Sequence, residues 1–124
     1  MCGVAGIVGL GARPVEPAAI KRMCDVMAHR GPNDAGYTFF RHGRSRSGEG
    51  SFWVGFADAA FRHHNEHLPV FGGSYCRDEL ARSHFSVALG HRRLSILDLT
   101  HRGHQPFANS DRRFWITHNG ELYN

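Results

Sequence analysis

Glycine and proline punctuate this chain at short intervals, 15 Gly and 5 Pro in 124 residues. That spacing favours short strands joined by turns over long helices. The length allows one domain at most, and 41% hydrophobic residues are enough to bury a real core. No stretch approaches the ~20 apolar residues of a membrane span. Met1 to Leu10 is apolar, but no basic segment precedes it, as a secretory leader would require. Glycine is third rather than second, which argues against myristoylation. A cytoplasmic location is the expectation. The formal charge of +4 suits an anionic ligand without implying nucleic acid. Cys2, Cys24 and Cys76 form neither a disulfide framework nor a zinc-ribbon spacing, so each is judged alone.

Gly3 to Gly9 reads as a short buried strand. Gly9-Leu10-Gly11 mimics a dinucleotide fingerprint, but Arg13-Pro14 stands where its third glycine belongs. Pro17 opens a helix on which Ile20, Met23, Cys24 and Met27 share an apolar face; Gly31-Pro32 ends it. Cys24 is a small buried hydrophobe on this reading. Tyr37 to Phe40 and Ser51 to Phe56 read as strands, with Arg41 to Gly50 a solvated loop between them. Asp58 to His67 is expected as a short helix stopped by Pro69. Ser86 to Leu89 and Leu94 to Leu97 are expected as strands flanking a tight basic turn. Phe114 to His118 is a further strand running into the turn pair Asn119-Gly120.

Cys2 is the most informative residue. Removal of Met1 would leave it with a free α-amine, and an unperturbed thiol (~8.5) and α-amine (~8) are matched for proton exchange. One terminal residue can therefore carry nucleophile and base together. Met-Cys-Gly alone is a weak signal. Three further motifs strengthen it, in order: His29 to Gly36 (HRGPNDAG), Leu89 to Leu99 (LGHRRLSILDL) with Gly103 to Phe107 (GHQPF), and Asn119 to Asn124 (NGELYN). With Met1 to Ile7 (MCGVAGI) they resemble the class II glutamine amidotransferases, on the asparagine synthetase-like branch. The resemblance covers both ends of the chain and leaves out Thr38 to Val87.

That resemblance implies an α+β fold of the N-terminal nucleophile hydrolase type, a four-layer αββα sandwich of antiparallel sheets, incomplete here. It implies that residues 1–124 are a partial glutaminase domain hydrolysing glutamine to glutamate and ammonia, the ammonia feeding an ATP-dependent amidation such as asparagine synthesis. Cys2 would form a γ-glutamyl thioester. Asn119 and Gly120 would supply the oxyanion donors. Arg93 would bind the substrate α-carboxylate, where a bidentate guanidinium suits a planar acid. The backbone at Ile96 and Leu97, with Glu121, would receive the α-amine. His29, Arg30 and Asp34 read as structural, bracing the rigid Gly31-Pro32 turn. No cofactor is expected within this segment; ATP and Mg²⁺ would belong to a C-terminal synthetase domain, and the family allows a homodimer of the full-length enzyme. No membrane or nucleic-acid partner is expected.

The sequence departs from that pattern in three places. Residues 38–87 make a longer connection than usual, a lid, partner surface or inert excursion. Within it His63, Glu66 and His67 match H-x-x-E-H, an inverted zinc-protease pattern, for which a helix would place His63 and His67 one turn apart. Short motifs of this kind match often by chance. The family's remaining strands and a further acidic residue would lie past Asn124, so unpaired edges should leave the segment poorly folded and weakly active alone. The alternatives are an inactive remnant and a basic phosphate- or RNA-binding module built on Arg41, Arg44 and Arg46, whose arginines are not interleaved with aromatics in sequence.

Overall fold

In a computed structural model the structure describes residues 1–11, 13–45 and 48–120. Strand β1 (Gly3–Val8) is followed by helix α1 (Pro17–Val26) and then by a long antiparallel pair, β2 (Asp34–Ser45) and β3 (Gly48–Ala57). A 3-10 turn (Ala59–Phe61), helix α2 (Ser74–Arg82) and strand β4 (Val87–Arg93) come next. A second 3-10 turn (His101–Gly103) leads to the two-residue strands β5 (Phe107–Ala108) and β6 (Trp115–Ile116). The four long strands form one antiparallel sheet in the order β1-β4-β2-β3, and β5 pairs with β6. The fold is therefore α+β, with a mostly antiparallel sheet and two helices.

Alternation along β2 sorts its side chains between two layers. Tyr37 and Phe39 are buried with Val54 and Phe56 of β3, Ile20 and Cys24 of α1, Cys76 of α2 and Phe85. Phe39 sits at the centre of this layer, its ring 6.0 Å from Phe56 and 5.7 Å from Phe85. Phe40 points the other way and meets Trp115 of β6 at 5.6 Å, with Trp53 of β3 4.7 Å from the same indole. Burial of such rings stabilises the fold by about 1.5–3 kcal/mol each.

Several expectations from the sequence need correction. The segment 38–87 is not an excursion, since it contributes most of β2, all of β3 and all of α2. Arg41 to Gly50 is not a loop, because β2 runs to Ser45 and β3 starts at Gly48; Arg46 and Ser47 lie outside the described residues. β1 is not fully buried: Val4 and Val8 are exposed on an edge strand. Asp58 to His67 is not an α-helix. Asp58 caps a single 3-10 turn, and Asn65 turns inward to hydrogen-bond Asp34 at 2.9 Å. H-x-x-E-H thus lacks the helix that would align its histidines, and no three metal-binding side chains converge among the described residues. His91 to Arg93 form the end of a central strand rather than a turn, and residues 94–97 are not a strand. The strand expected over Phe114 to His118 is only Trp115–Ile116.

Candidate active site

The register of β1 against β4 builds the site. Gly3 pairs with Arg92, so Cys2 lies beside the point where β4 ends, and the Leu94 N–H donates to Cys2 Sγ at 3.3 Å. Met1 is exposed at the rim. An open pocket of about 550 Å³ is lined by Cys2, Arg93, Ile96, Leu97, Asn119 and Gly120, together with Gln105 and His118. Six of the seven residues expected at the site therefore share one cavity. Glu121, the seventh, lies outside the described residues.

Arg93 is buried, and its guanidinium is held in place. Nη1 donates to the Thr100 carbonyl at 2.7 Å, Nη2 donates to the Asp98 carbonyl, and the Asp98 carboxylate is 3.8 Å away. Thr100 bonds to the Asp98 carboxylate through both its hydroxyl and its N–H, holding that acid below the usual carboxylate range. Backbone carbonyls thus fix where the guanidinium points.

The segment Arg30 to Asp34 braces this arrangement. Arg30 Nε donates to the Cys2 carbonyl at 3.4 Å, and Arg92 Nε donates to the Gly31 carbonyl at 3.1 Å. Asn33 Oδ1 accepts from the Ser95 N–H at 3.0 Å. Asp34 is buried against His104 Nδ1 at 2.7 Å, with Asn65 and the Ala35 N–H on its other oxygen. Burial alone would raise the Asp34 carboxyl; the bond and charge of His104, then Asn65 and Ala35, outweigh it and lower it. The bracing role read for Arg30 and Asp34 therefore has named partners. His29 is exposed, and its ring nitrogen Nδ1 lies 3.1 Å from the Val26 carbonyl within its own turn.

The sequence reading missed Gln105 and His91. Gln105 Oε1 accepts the His118 N–H at 2.7 Å, and His91 Nε2 lies 3.2 Å from the His118 carbonyl. GHQPF and LGHRR flagged both positions without indicating a task. Cys24 and Cys76 are fully buried, and desolvation pushes the Cys24 thiol up to about 12 and raises Cys76 as well. A buried protonated thiol is a poor nucleophile. Away from the pocket, Arg41 lies over Phe52 at 5.2 Å, an arginine–aromatic contact that the linear sequence hides.

The model of the glutamine amidotransferase domain matches residues 73–124. Two glutamine-hydrolysing asparagine synthetases of Bacillus subtilis align with the whole chain at 28% and 32% identity. A protein named for the same activity in Methanocaldococcus jannaschii aligns with the whole chain at 28%. The chain spans 13%, 11% and 19% of the lengths of these three relatives. No solved structure gives a significant match. The chain belongs to the class II glutamine amidotransferases. Its relatives are enzymes named as glutamine-hydrolysing asparagine synthetases.

Proposed function

We propose that this chain hydrolyses glutamine through Cys2 and supplies the ammonia to an ATP-dependent amidation such as asparagine synthesis. The observation that carries the reading is the shared pocket of Cys2, Arg93, Asn119 and Gly120. Once Met1 is cleaved, the Cys2 amine stands at the mouth of that pocket. It takes the thiol proton as Sγ attacks the side-chain amide carbon of glutamine. The S–C bond forms, and the C–N bond breaks as the same proton passes to the leaving nitrogen. Ammonia departs, leaving a γ-glutamyl thioester that water then hydrolyses to glutamate. The Asn119 side-chain amide and the Gly120 N–H face the developing oxyanion, where one such donor lowers the barrier by about 3 kcal/mol.

Arg93 holds the α-carboxylate, and the backbone of Ile96 and Leu97, with Glu121, takes the α-amine. The substrate is free cytoplasmic glutamine. The partner is a synthetase domain of the kind the longer relatives are named for, and ATP and Mg²⁺ act there. The sheet seen here would be the first of two in a four-layer αββα sandwich. The packing of β5 and β6 on the face opposite both helices supports that arrangement.

A glutamine-mimicking electrophile tests the assignment. Peptide mapping should place the label on Cys2 alone, with free glutamine protecting it. Label on Cys24 or Cys76, or none on Cys2 after Met1 removal, would defeat it.

A further inference from the structure

The Asn119-Gly120 pair sits at the exposed end of the described chain, in no regular strand. An oxyanion donor works only when held where charge will develop, before the charge appears. Something must therefore fix this short segment, and the β5–β6 pair ends three residues earlier, at Ile116. The residue immediately before the pair, His118, is tied at both backbone groups by side chains. Its N–H donates to Gln105 Oε1 at 2.7 Å, and its carbonyl lies 3.2 Å from His91 Nε2. A carbonyl can only accept, so His91 must donate from Nε2 and leave Nδ1 as the bare nitrogen. Nδ1 is indeed buried, with no partner among the described residues. Burial holds the His91 ring down to about 4, which keeps it neutral.

Each tether is anchored in turn. His91 is a buried residue of β4, paired with Val4 on one side and Gly36 on the other. Gln105 follows His104, which Asp34 grips at 2.7 Å. The Gln105 carbonyl packs against Gly36 so closely that any Cβ there would collide with it. The chain beside the donors is thus pinned to the sheet from two directions.

We infer that Gln105 and His91 are positioning residues for the oxyanion donors, clamping His118 so that Asn119 and Gly120 are set in advance. The inference rests on the glutaminase reading. It gives GHQPF and the His of LGHRR a task distinct from substrate binding: they act on the transition state through the backbone.

Steady-state glutaminase kinetics of the protein with Met1 removed test it. Gln105→Met keeps the side-chain length but cannot accept from the His118 N–H. A displacement of about 1 Å at the donors is enough for a loss of about 10²-fold. The expected result is a kcat lowered by roughly tenfold to a hundredfold, with KM for glutamine within about twofold. Gln105→Glu restores an acceptor at the same reach and should recover most of the rate. Thermal melts of both variants control for damage to the fold.

An unchanged kcat in Gln105→Met would overturn the inference. So would a rise in KM alone, which would make Gln105 a substrate contact. A Gln105→Glu enzyme as slow as Gln105→Met would overturn it too. Failure of the underlying reading looks different: hydrolysis by the parent protein would be missing, or would survive Cys2→Ser.

Discussion

Gly103→Ala is a small change aimed at one functional group. A Cβ built at Gly103 would lie 2.9 Å from Arg93 Nε and closer still to Cζ and Nη2. For a free arginine the clash would cost little, because the end of a flexible chain can move aside. Arg93 is not free: the carbonyls of Asp98 and Thr100 hold its guanidinium. The added methyl must therefore push the guanidinium out of its cradle or lift the loop that forms it. Stability should fall by no more than about 1 kcal/mol, since a half-buried loop absorbs the change. If Arg93 holds the substrate acid as proposed, glutamine recognition should suffer much more. A hydrogen bond to a charged group is worth about 1.5–3 kcal/mol, and tenfold in affinity is about 1.4 kcal/mol. Losing one bond from a displaced guanidinium thus raises KM roughly tenfold to a hundredfold. Calorimetric titration of glutamine into the Cys2→Ser protein, with and without Gly103→Ala, measures the binding part directly. Unaltered affinity with a lowered kcat would refute the argument, because Arg93 would then not be the group that holds the substrate acid.

Two further predictions concern stability. Phe39→Ala empties the centre of the helix-side core, between Phe56, Phe71 and Phe85; it should cost about 3–5 kcal/mol by urea denaturation, and a loss below 1 kcal/mol would contradict that packing. Burial disfavours the charge of His91 and holds it down to about 4 in the folded chain, against ~6.5 when unfolded. A depressed folded value gives stability that is complete above pH ~6.5 and lost as pH falls toward 4, worth about 3 kcal/mol over that window. Urea midpoints measured across it should show a slope that His91→Gln removes; a slope retained in the variant would assign the effect elsewhere.

What the sequence made legible was local. Cys2, Arg93, Asn119 and Gly120 stand in short motifs whose order along the chain survives, and the pocket gathers all four. Helix α1 announced itself through Pro17 and the Ile20/Cys24 face, and both residues are fully buried. Pairing of distant strands was not legible. β1 meets β4 across most of the chain, and nothing local in HRR says that strands flank it on both sides. Charges normally signal exposure, so His91, Arg92 and Arg93 suggested a turn. They are buried because backbone carbonyls of Gly31, Asp98, Thr100 and His118 lie within hydrogen-bonding reach of them. Helix α2 escaped notice because Ser74 to Arg82 is mostly polar and buries only Cys76. The length of β2 and β3 was hidden by Gly43, Gly48 and Gly50, residues that usually interrupt strands. Those strands pair through Ser45 and Gly48 nonetheless.

The place of β1 at the sheet edge bears on how the protein fails when heated. Among the described strands β1 pairs with β4 alone, through rungs that run from Val8 opposite Val87 to Gly3 opposite Arg92. Cys2 therefore stands just past the last rung of a single ladder, kept there by the Leu94 N–H on its sulfur and by Arg30 on its carbonyl. Opening the first two rungs would swing the sulfur away from Leu94 while the β4–β2–β3 ladders and the aromatic layer stay shut. Edge fraying costs far less than global unfolding. If Cys2 is the nucleophile as proposed, the chemistry and the fold should accordingly have separate melting points, with the activity lost first and regained on cooling.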